Sequence, residues 1–337
     1  MMENNIKVSI IMPSLNVKEY IEECIESVVN QTLSEIEIIC VDAGSSDGTL
    51  EILEKYSKND DRIKLICSDK KSYGHQVNLG IGNSNGEYIG IVETDDYIDE
   101  RMYETLYGLT DNGACDISKV NFYHFHDEKP PKIVADNLKS KLPVDKSFNI
   151  YENANFLTGH PSIWAAIYKK DFLKSNNIKF IEAPGGGWVD NPFLHETALA
   201  AKSIVYSDDA FYYYRQSNPN SSTNNMGDLT LPLRRMIDVL DILDKYSCDD
   251  ENILAEVYFR IFFHIKGLLK TDLSNQKHEV FKYIKEIIHR LDGNIVSKHS
   301  NLIDQCVYYK LSADIDENSL SMSLVDVKYL IKNKFGV

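Results

Sequence analysis

Three carboxylates fall within four residues, Glu93, Asp95 and Asp96, directly after the apolar run Tyr88–Val92. A buried parallel strand that ends in acids delivers them to the carboxyl edge of an α/β sheet, where such folds bind ligands. Like charges this close repel, so the cluster calls for a compensating cation. Its hard oxygens suit Mg²⁺ or Mn²⁺ rather than zinc. The same residues also suit a helix start, with Asp95 or Asp96 as cap and Asp99 and Glu100 adding to the dipole. A further acid, Asp42, opens the turn-rich stretch Asp42-Ala-Gly-Ser-Ser-Asp-Gly-Thr49. It can accept from a base or a ribose hydroxyl, or fold back on its own loop as an Asx turn.

The elements that must position these acids alternate. Lys7–Met12, Glu37–Val41, Ile63–Cys67 and Tyr88–Val92 read as short buried strands. Between them lie helical patterns at Val17–Gln31, after Thr49 (Leu50, Leu53, Tyr56) and at about 75–84. This rhythm predicts a parallel sheet with right-handed crossovers. A helix at about 100–111 and a strand at Ile117–Phe125 follow, then a loop-like stretch over 127–149. Ser162–Tyr168, Ile204–Tyr206 and Ala210–Tyr214 read as strands and Pro192–Ala201 as a helix. From about Leu231 the patterns become long and helical, as in Ile253–Leu269 and Val280–Leu291. The polar stretch Ser217–Asp228 divides the chain into residues 1–228 and a helical region, 229–337. In an open sheet the loops Pro13–Asn16, Asp42–Asp47 and Glu93–Asp96 then share one crevice, which favours the cation site over the cap. No G-x-x-x-x-G-K-[ST] or G-x-G-x-x-G motif accompanies them, against ATPase and dinucleotide readings.

Composition sets the remaining bounds. The 337 residues carry a net charge of −15, which argues against nucleic-acid binding. Residues 1–230 hold 21 basic and 35 acidic side chains and residues 231–337 hold 15 and 16, so the acidity belongs to the front. Six scattered cysteines without a C-x-x-C pair point to a reducing cytoplasm. No signal peptide or roughly 20-residue apolar span is evident, so a soluble or at most peripheral protein is expected. The segment FRIFFHIKGLL at Phe259–Leu269 is apolar nearly all round, which favours burial in a bundle over membrane contact.

Ser9-Ile-Ile-Met-Pro-Ser-Leu-Asn16, Val41-Asp-Ala-Gly-Ser-Ser-Asp-Gly-Thr49 and Asn83-Ser-Asn-Gly-Glu-Tyr-Ile-Gly-Ile-Val-Glu-Thr-Asp-Asp96 resemble, in order and spacing, the family 2 glycosyltransferases of the GT-A fold. The resemblance spans roughly residues 6–215. It implies a Rossmann-like, mostly parallel α/β sheet flanked by helices. The helical region would then serve acceptor, partner or oligomer contacts. It implies inverting, metal-dependent transfer of a sugar from a nucleotide-sugar, a UDP-sugar by preference, to a hydroxyl of a glycan or lipid-linked acceptor. The implied setting is polysaccharide (capsule-type) assembly at the cytoplasmic face of the plasma membrane, with peripheral membrane association and a homodimer both open. A nucleotidyltransferase and a non-catalytic nucleotide-sugar-binding module are the rival readings. The first lacks a Gly-rich, Lys/Arg-bearing loop after strand one, where Pro13-Ser-Leu-Asn16 stands.

Carried over residue by residue, the resemblance assigns the nucleotide-sugar to Pro13, Ser14, Asn16, Asp42, Ser45, Lys71, Gly74, Asn78, Thr94, Asp96 and Arg215. The metal falls to Asp95, with Glu93 standing where the family usually has Asp. Gln76-Val77-Asn78 replaces the family's Ala-Arg-Asn, and Lys70, Lys71 or His75 are candidates for the missing cation. Gly185-Gly-Gly-Trp-Val-Asp-Asn-Pro-Phe193 is similar to the family's late acidic motif, whose Asp is the general base; the match falls on Asp190. A carboxylate there can take the acceptor's proton, and the same residue can cap the helix after it. Acceptor contacts fall to Trp188, Trp164 and His195, the last one turn and a little past Asp190. A tryptophan in a strand serves the core as readily as a sugar ring.

Overall fold

Apolar, β-branched runs without alternation form strands covered on both faces. In β1 (Val8–Ser14) and β2 (Ile36–Asp42) all seven residues are buried. The structure is a computed structural model and describes residues 6–128, 131–136, 141–219, 221, 227–273, 275–299, 308 and 312. Cys306 and parts of the stretches 127–149 and 217–228 lie outside the described residues.

After β1 come α1 (Ile21–Val29), β2, α2 (Thr49–Asn59), β3 (Ile63–Cys67), α3 (Tyr73–Gly82) and β4 (Tyr88–Ile91). Then follow β5 (Tyr97–Ile98), α4 (Met102–Gly108), β6 (Ile117–His126), β7 (Lys132–Ala135), β8 (Ala166–Lys169), α5 (Lys170–Ser175), α6 (Asp190–Ala200) and β9 (Ile204–Arg215). The sheet order is β3-β2-β1-β4-β8-β6-β9-β5, with β7 paired to β6. β1 to β4 pair in parallel, and so do β6 and β9. The short β8 runs against β4 and β6, β7 against β6, and β5 against β9. The ends of β1, β2, β4, β6 and β9 therefore share one edge, and the acid motif leaves β4 there.

Four boundaries differ from the sequence reading. The first helix starts at Ile21, not Val17. The backbone N–H groups of Val17 and Lys18 donate instead to Thr49 Oγ1 and Asp47 Oδ2 (2.9 and 3.0 Å), which holds residues 17–20 in a turn. Ser162–Tyr168 is a strand only from Ala166, because Ser162 sits at φ 37° and residues 163–165 make a 3₁₀ turn. Ile204–Tyr206 and Ala210–Tyr214 are one strand, irregular opposite Asn121. The late helix begins at Asp190, two residues before Pro192.

Contacts divide the chain into two compact units, residues 1–225 and 226–337. The second holds α7 (Leu231–Lys245), α8 (Glu251–Leu268), α9 (Lys277–Arg290) and α10 (Gly293–Lys298). Asp250 caps α8 by accepting from the N–H groups of Asn252 and Ile253. Arg290 on α9 reaches Asp241 and Asp244 of α7 at 2.6 Å each. Within α8, Ile261, Phe262 and Ile265 are buried and Phe263 is 65% exposed. Among the described residues no helix is long and apolar enough to cross a membrane.

Candidate active site

The loops after β1 and β2 are laced together around Asp42, which is buried. Its Oδ1 accepts from the N–H groups of Gly44 and Ser45 (2.9 and 2.8 Å). Its Oδ2 accepts from Ser14 Oγ (3.0 Å) and Ser45 Oγ (2.5 Å). The structure thus realises the Asx turn, with the carboxylate committed to its own loop. Asn16, exposed and at φ 53°, accepts from Ser46 N–H through Oδ1 and donates its own N–H to Ser45 Oγ, both at 2.9 Å. Thr94 Oγ1 donates to the Pro13 carbonyl (2.8 Å), which ties the acid motif to this pair of loops. Pro13, Ser14, Asn16, Asp42, Ser45 and Thr94 are therefore brought together. Gln76, which sequence reasoning noted only as a departure, braces them: its Nε2 donates to the carbonyls of Ser14 (2.9 Å) and Val41 (2.7 Å).

The three acids of the motif differ in what surrounds them. Asp96 is buried and accepts from Tyr212 Oη (2.8 Å) and the Arg215 N–H (2.7 Å). Burial first, and Asp95 second, push its carboxyl well above the ordinary range. It supports the motif from beneath, where a sugar contact had been expected. Glu93 accepts from Tyr73 Oη at 2.6 Å. Burial, then the charges of Asp95 and Asp190, push its pKa from 4.5 up to about 8 against the opposing Tyr73 bond. Asp95 is half-buried; one oxygen accepts from Asn218 Nδ2 (2.8 Å) and the other makes no hydrogen bond among the described residues.

A pH dependence follows for the metal-free protein. The folded chain keeps the Glu93 proton up to about pH 8 and the unfolded chain releases it near 4.5, so more protons are bound in the folded state across that window. Stability should fall as pH rises through it. Glu93→Gln should flatten the fall, measured as denaturant midpoints in chelator across the same range; an unaltered slope would contradict the burial of that charge.

Among the described residues no group of three or more His, Cys, Asp or Glu is arranged to hold a metal ion by itself. Mg²⁺-type sites need only one or two carboxylates when a substrate's phosphates supply other ligands. One half-buried carboxylate with an open oxygen, amid acids that repel, fits that requirement.

Asp190 occupies the first turn of α6, its Oδ1 accepting from the Asn191 N–H (2.9 Å) and Nδ2 (3.2 Å). The preceding Gly185, Gly187 and Trp188 all have positive φ (67°, 67° and 52°). For tryptophan that is an outlier, tolerated where neighbours over-determine the chain. Those neighbours lie at the start of α3. The Asn78 side chain bonds the Phe180 backbone in both directions at 2.9 Å. Lys70 and His75 meet Glu182 at 3.0 and 2.9 Å. Gly74 lies so close that an added Cβ would stand 2.1 Å from the Ile181 carbonyl oxygen. Gly74 and Asn78 therefore fasten the loop before Asp190, where nucleotide contact had been expected. Of the three candidate cations only Lys71 is exposed with no side-chain partner among the described residues.

Three more expectations are corrected by burial. Arg215 is 5% exposed; its Nε donates to the Asp95 carbonyl (2.7 Å), and its guanidinium pairs with Asp127 and Glu23 and lies over Tyr20 and Phe125. It is a strut behind the acid motif, not a free cation for a diphosphate. Trp164 is buried and stacks on Tyr212 (4.0 Å, 22°), so it belongs to the core under Asp96. His195 is 1% exposed, with Nδ1 on the Asn191 carbonyl at 2.7 Å, and faces the interior rather than an acceptor. Trp188 is half-buried beside Asp190. Tyr73, Tyr212 and Asn218, which meet the three acids directly, were missed as site residues; closeness in sequence to Arg215 was the one available signal for the latter two.

The model of the family described as Glycosyl transferase family 2 matches residues 9–175. An uncharacterized glycosyltransferase of Bacillus subtilis, EpsJ, is 33% identical over 271 residues, 79% of this chain and 73% of that protein. The chain belongs to glycosyl transferase family 2. The poly(ribitol-phosphate) beta-N-acetylglucosaminyltransferase TarS of Staphylococcus aureus is 28% identical over 324 residues, 92% of this chain. The glycosyltransferase spans about half (54%) of that relative's length. The crystal structure of TarS 1–349 with UDP-GlcNAc shares its fold, at a TM-score of 0.74 and 19% identity over 98% of this chain and 91% of that one. The expected GT-A fold is thereby confirmed for this transferase.

Proposed function

We propose that this enzyme moves a sugar, with inversion, from a UDP-sugar to a hydroxyl of a glycan or lipid-linked acceptor during assembly of a surface polysaccharide. The observation that carries the reading is the arrangement of Asp95: half-buried, with an open oxygen, in a motif that Thr94 ties to the Pro13 loop and Glu93 ties through Tyr73 to the loop before Asp190. The laced loops bind the nucleoside, with the exposed Asn16 presenting its side chain and Ser14, Ser45 and Asp42 keeping the turn rigid. Lys71 is the free cation for the diphosphate. Asp95 would hold Mg²⁺ or Mn²⁺, which supplies charge stabilisation to the leaving diphosphate when bound. Asp190 takes the acceptor's proton as the hydroxyl attacks from the face opposite the nucleotide. Trp188, beside it, offers an aromatic face to the acceptor ring. The name of TarS supports a sugar-polymer or polyol-phosphate acceptor class. The cysteine pattern supports the cytoplasmic side of the membrane. The helical unit, 226–337, is read as the part that meets the acceptor or a partner.

Thermal-shift measurements with UDP, UDP-GlcNAc and other nucleotide-sugars, with and without Mn²⁺, test this. A ligand at about 100 times its Kd stabilises by about 2.7 kcal/mol, a shift of roughly 3 °C or more for a chain of this size. The expected pattern is stabilisation by UDP-linked ligands that depends on the cation. A flat response to every UDP-linked ligand with Mn²⁺ would refute the donor assignment.

A further inference from the structure

We infer that Tyr73 is a positioning residue: its hydroxyl on Glu93 and its backbone on Gly185 hold the loop carrying Trp188 and Asp190 in register with the acid motif. Tyr73 has two ends in two places. Its N–H donates to the Gly185 carbonyl (2.9 Å), and the Gly185 N–H returns a bond to the Lys71 carbonyl (3.0 Å). These bonds form a one-residue parallel bridge between Ser72 and Gly185. Its ring meets Phe180 edge-on at 6.0 Å, and Phe180 stacks on Phe193 of α6 at 3.9 Å. The hydroxyl then reaches Glu93 Oε1 at 2.6 Å.

Every other bond described above between α3 and residues 180–187 stops at α3. Tyr73 alone carries the connection on to the acids, and it is the only side chain hydrogen-bonded to the Glu93 carboxylate among the described residues. A segment with four consecutive left-handed or glycine positions, 185–188, has no regular ladder of its own, so its placement comes from such outside bonds. The unusual Glu93 acquires a reason here. Aspartate, one methylene shorter, would leave the hydroxyl out of reach.

The inference rests on the proposed function for its catalytic meaning, but its primary test does not. Hydrogen–deuterium exchange of peptides covering 181–190 should rise about tenfold in Tyr73→Phe, the effect of losing one buried hydrogen bond that restrains local opening. Glu93→Asp, which keeps the carboxyl and loses the reach, should match it. Glu93→Gln, which keeps an acceptor oxygen at the same length, should stay protected. Binding of UDP with Mn²⁺ by Tyr73→Phe, measured by calorimetry, should remain within about twofold of wild type because that bond is not a donor contact. Exchange that follows the carboxyl rather than its reach (Gln open, Asp protected), an unchanged loop in Tyr73→Phe, or loss of UDP binding in that variant would each overturn the assignment. If Asp190 proves not to be the base, the exchange pattern still stands or falls alone.

Discussion

Asp190→Asn should abolish transfer while leaving nucleotide-sugar binding intact. The substitution is isosteric, and the asparagine oxygen can still accept from the Asn191 N–H that Asp190 holds at 2.9 Å. The helix start and the loop before it therefore keep their geometry, and what is lost is the capacity to take a proton. A positioned base contributes on the order of 10²–10⁴-fold, so turnover should fall by at least about 10². The measurement is UDP release in the presence of acceptor, beside the thermal shift given by the same donor. Undiminished turnover would remove Asp190 from the mechanism. A joint loss of donor binding and transfer would reassign it to the donor side.

Asp95→Asn should remove the cation dependence of UDP binding. Its structural partners do not require the charge: Arg215 Nε bonds the Asp95 backbone carbonyl, and Asn218 can present its own carbonyl to an amide. The buried bonds of Asp96 to Tyr212 and Arg215 are untouched, so the fold should persist. If the cation contributes several kcal/mol to the leaving diphosphate, transfer falls by about 10³ or more. The decisive readout is the thermal shift with UDP in Mn²⁺ compared with chelator. A Mn²⁺ effect that survives in Asp95→Asn and disappears in Glu93→Gln would make Glu93 the ligand.

Much of this site was legible in the sequence because its parts are local. Strands ending in Asp42 and Glu93–Asp96, and the loop after β1, are contiguous segments whose type follows from apolar runs and turn residues. What each side chain does was less legible, because that depends on partners far along the chain. Asn78 and Gly74 sit in a motif associated with nucleotide contact, yet their contacts are Phe180 and Ile181, about a hundred positions later. Arg215 has the right charge for a diphosphate, but Asp127 and Glu23 already occupy it. Asp42 was left between ligand contact and Asx turn, and three bonds from its own loop, with a fourth from Ser14, form the turn. Periodicity cannot report such closures. The hydroxyls of Tyr73 and Tyr212 were invisible for the same reason, since nothing local distinguishes a tyrosine that ends on a carboxylate from one that ends in the core.

The bracing of the acid motif by β9 also orders events in time. Asp95 and Asp96 emerge from the ribosome early, but the groups that hold them, Tyr212, Arg215 and Asn218, lie 116 to 123 positions downstream. Contacts of such long sequence separation close late in folding, after the local βα pairs that precede them. A nascent chain lacking its last strand can assemble the loops after β1 and β2 but not the braced acids. The sheet edge that carries the acids is thus among the final parts completed, and an unfinished chain carries no finished copy of it.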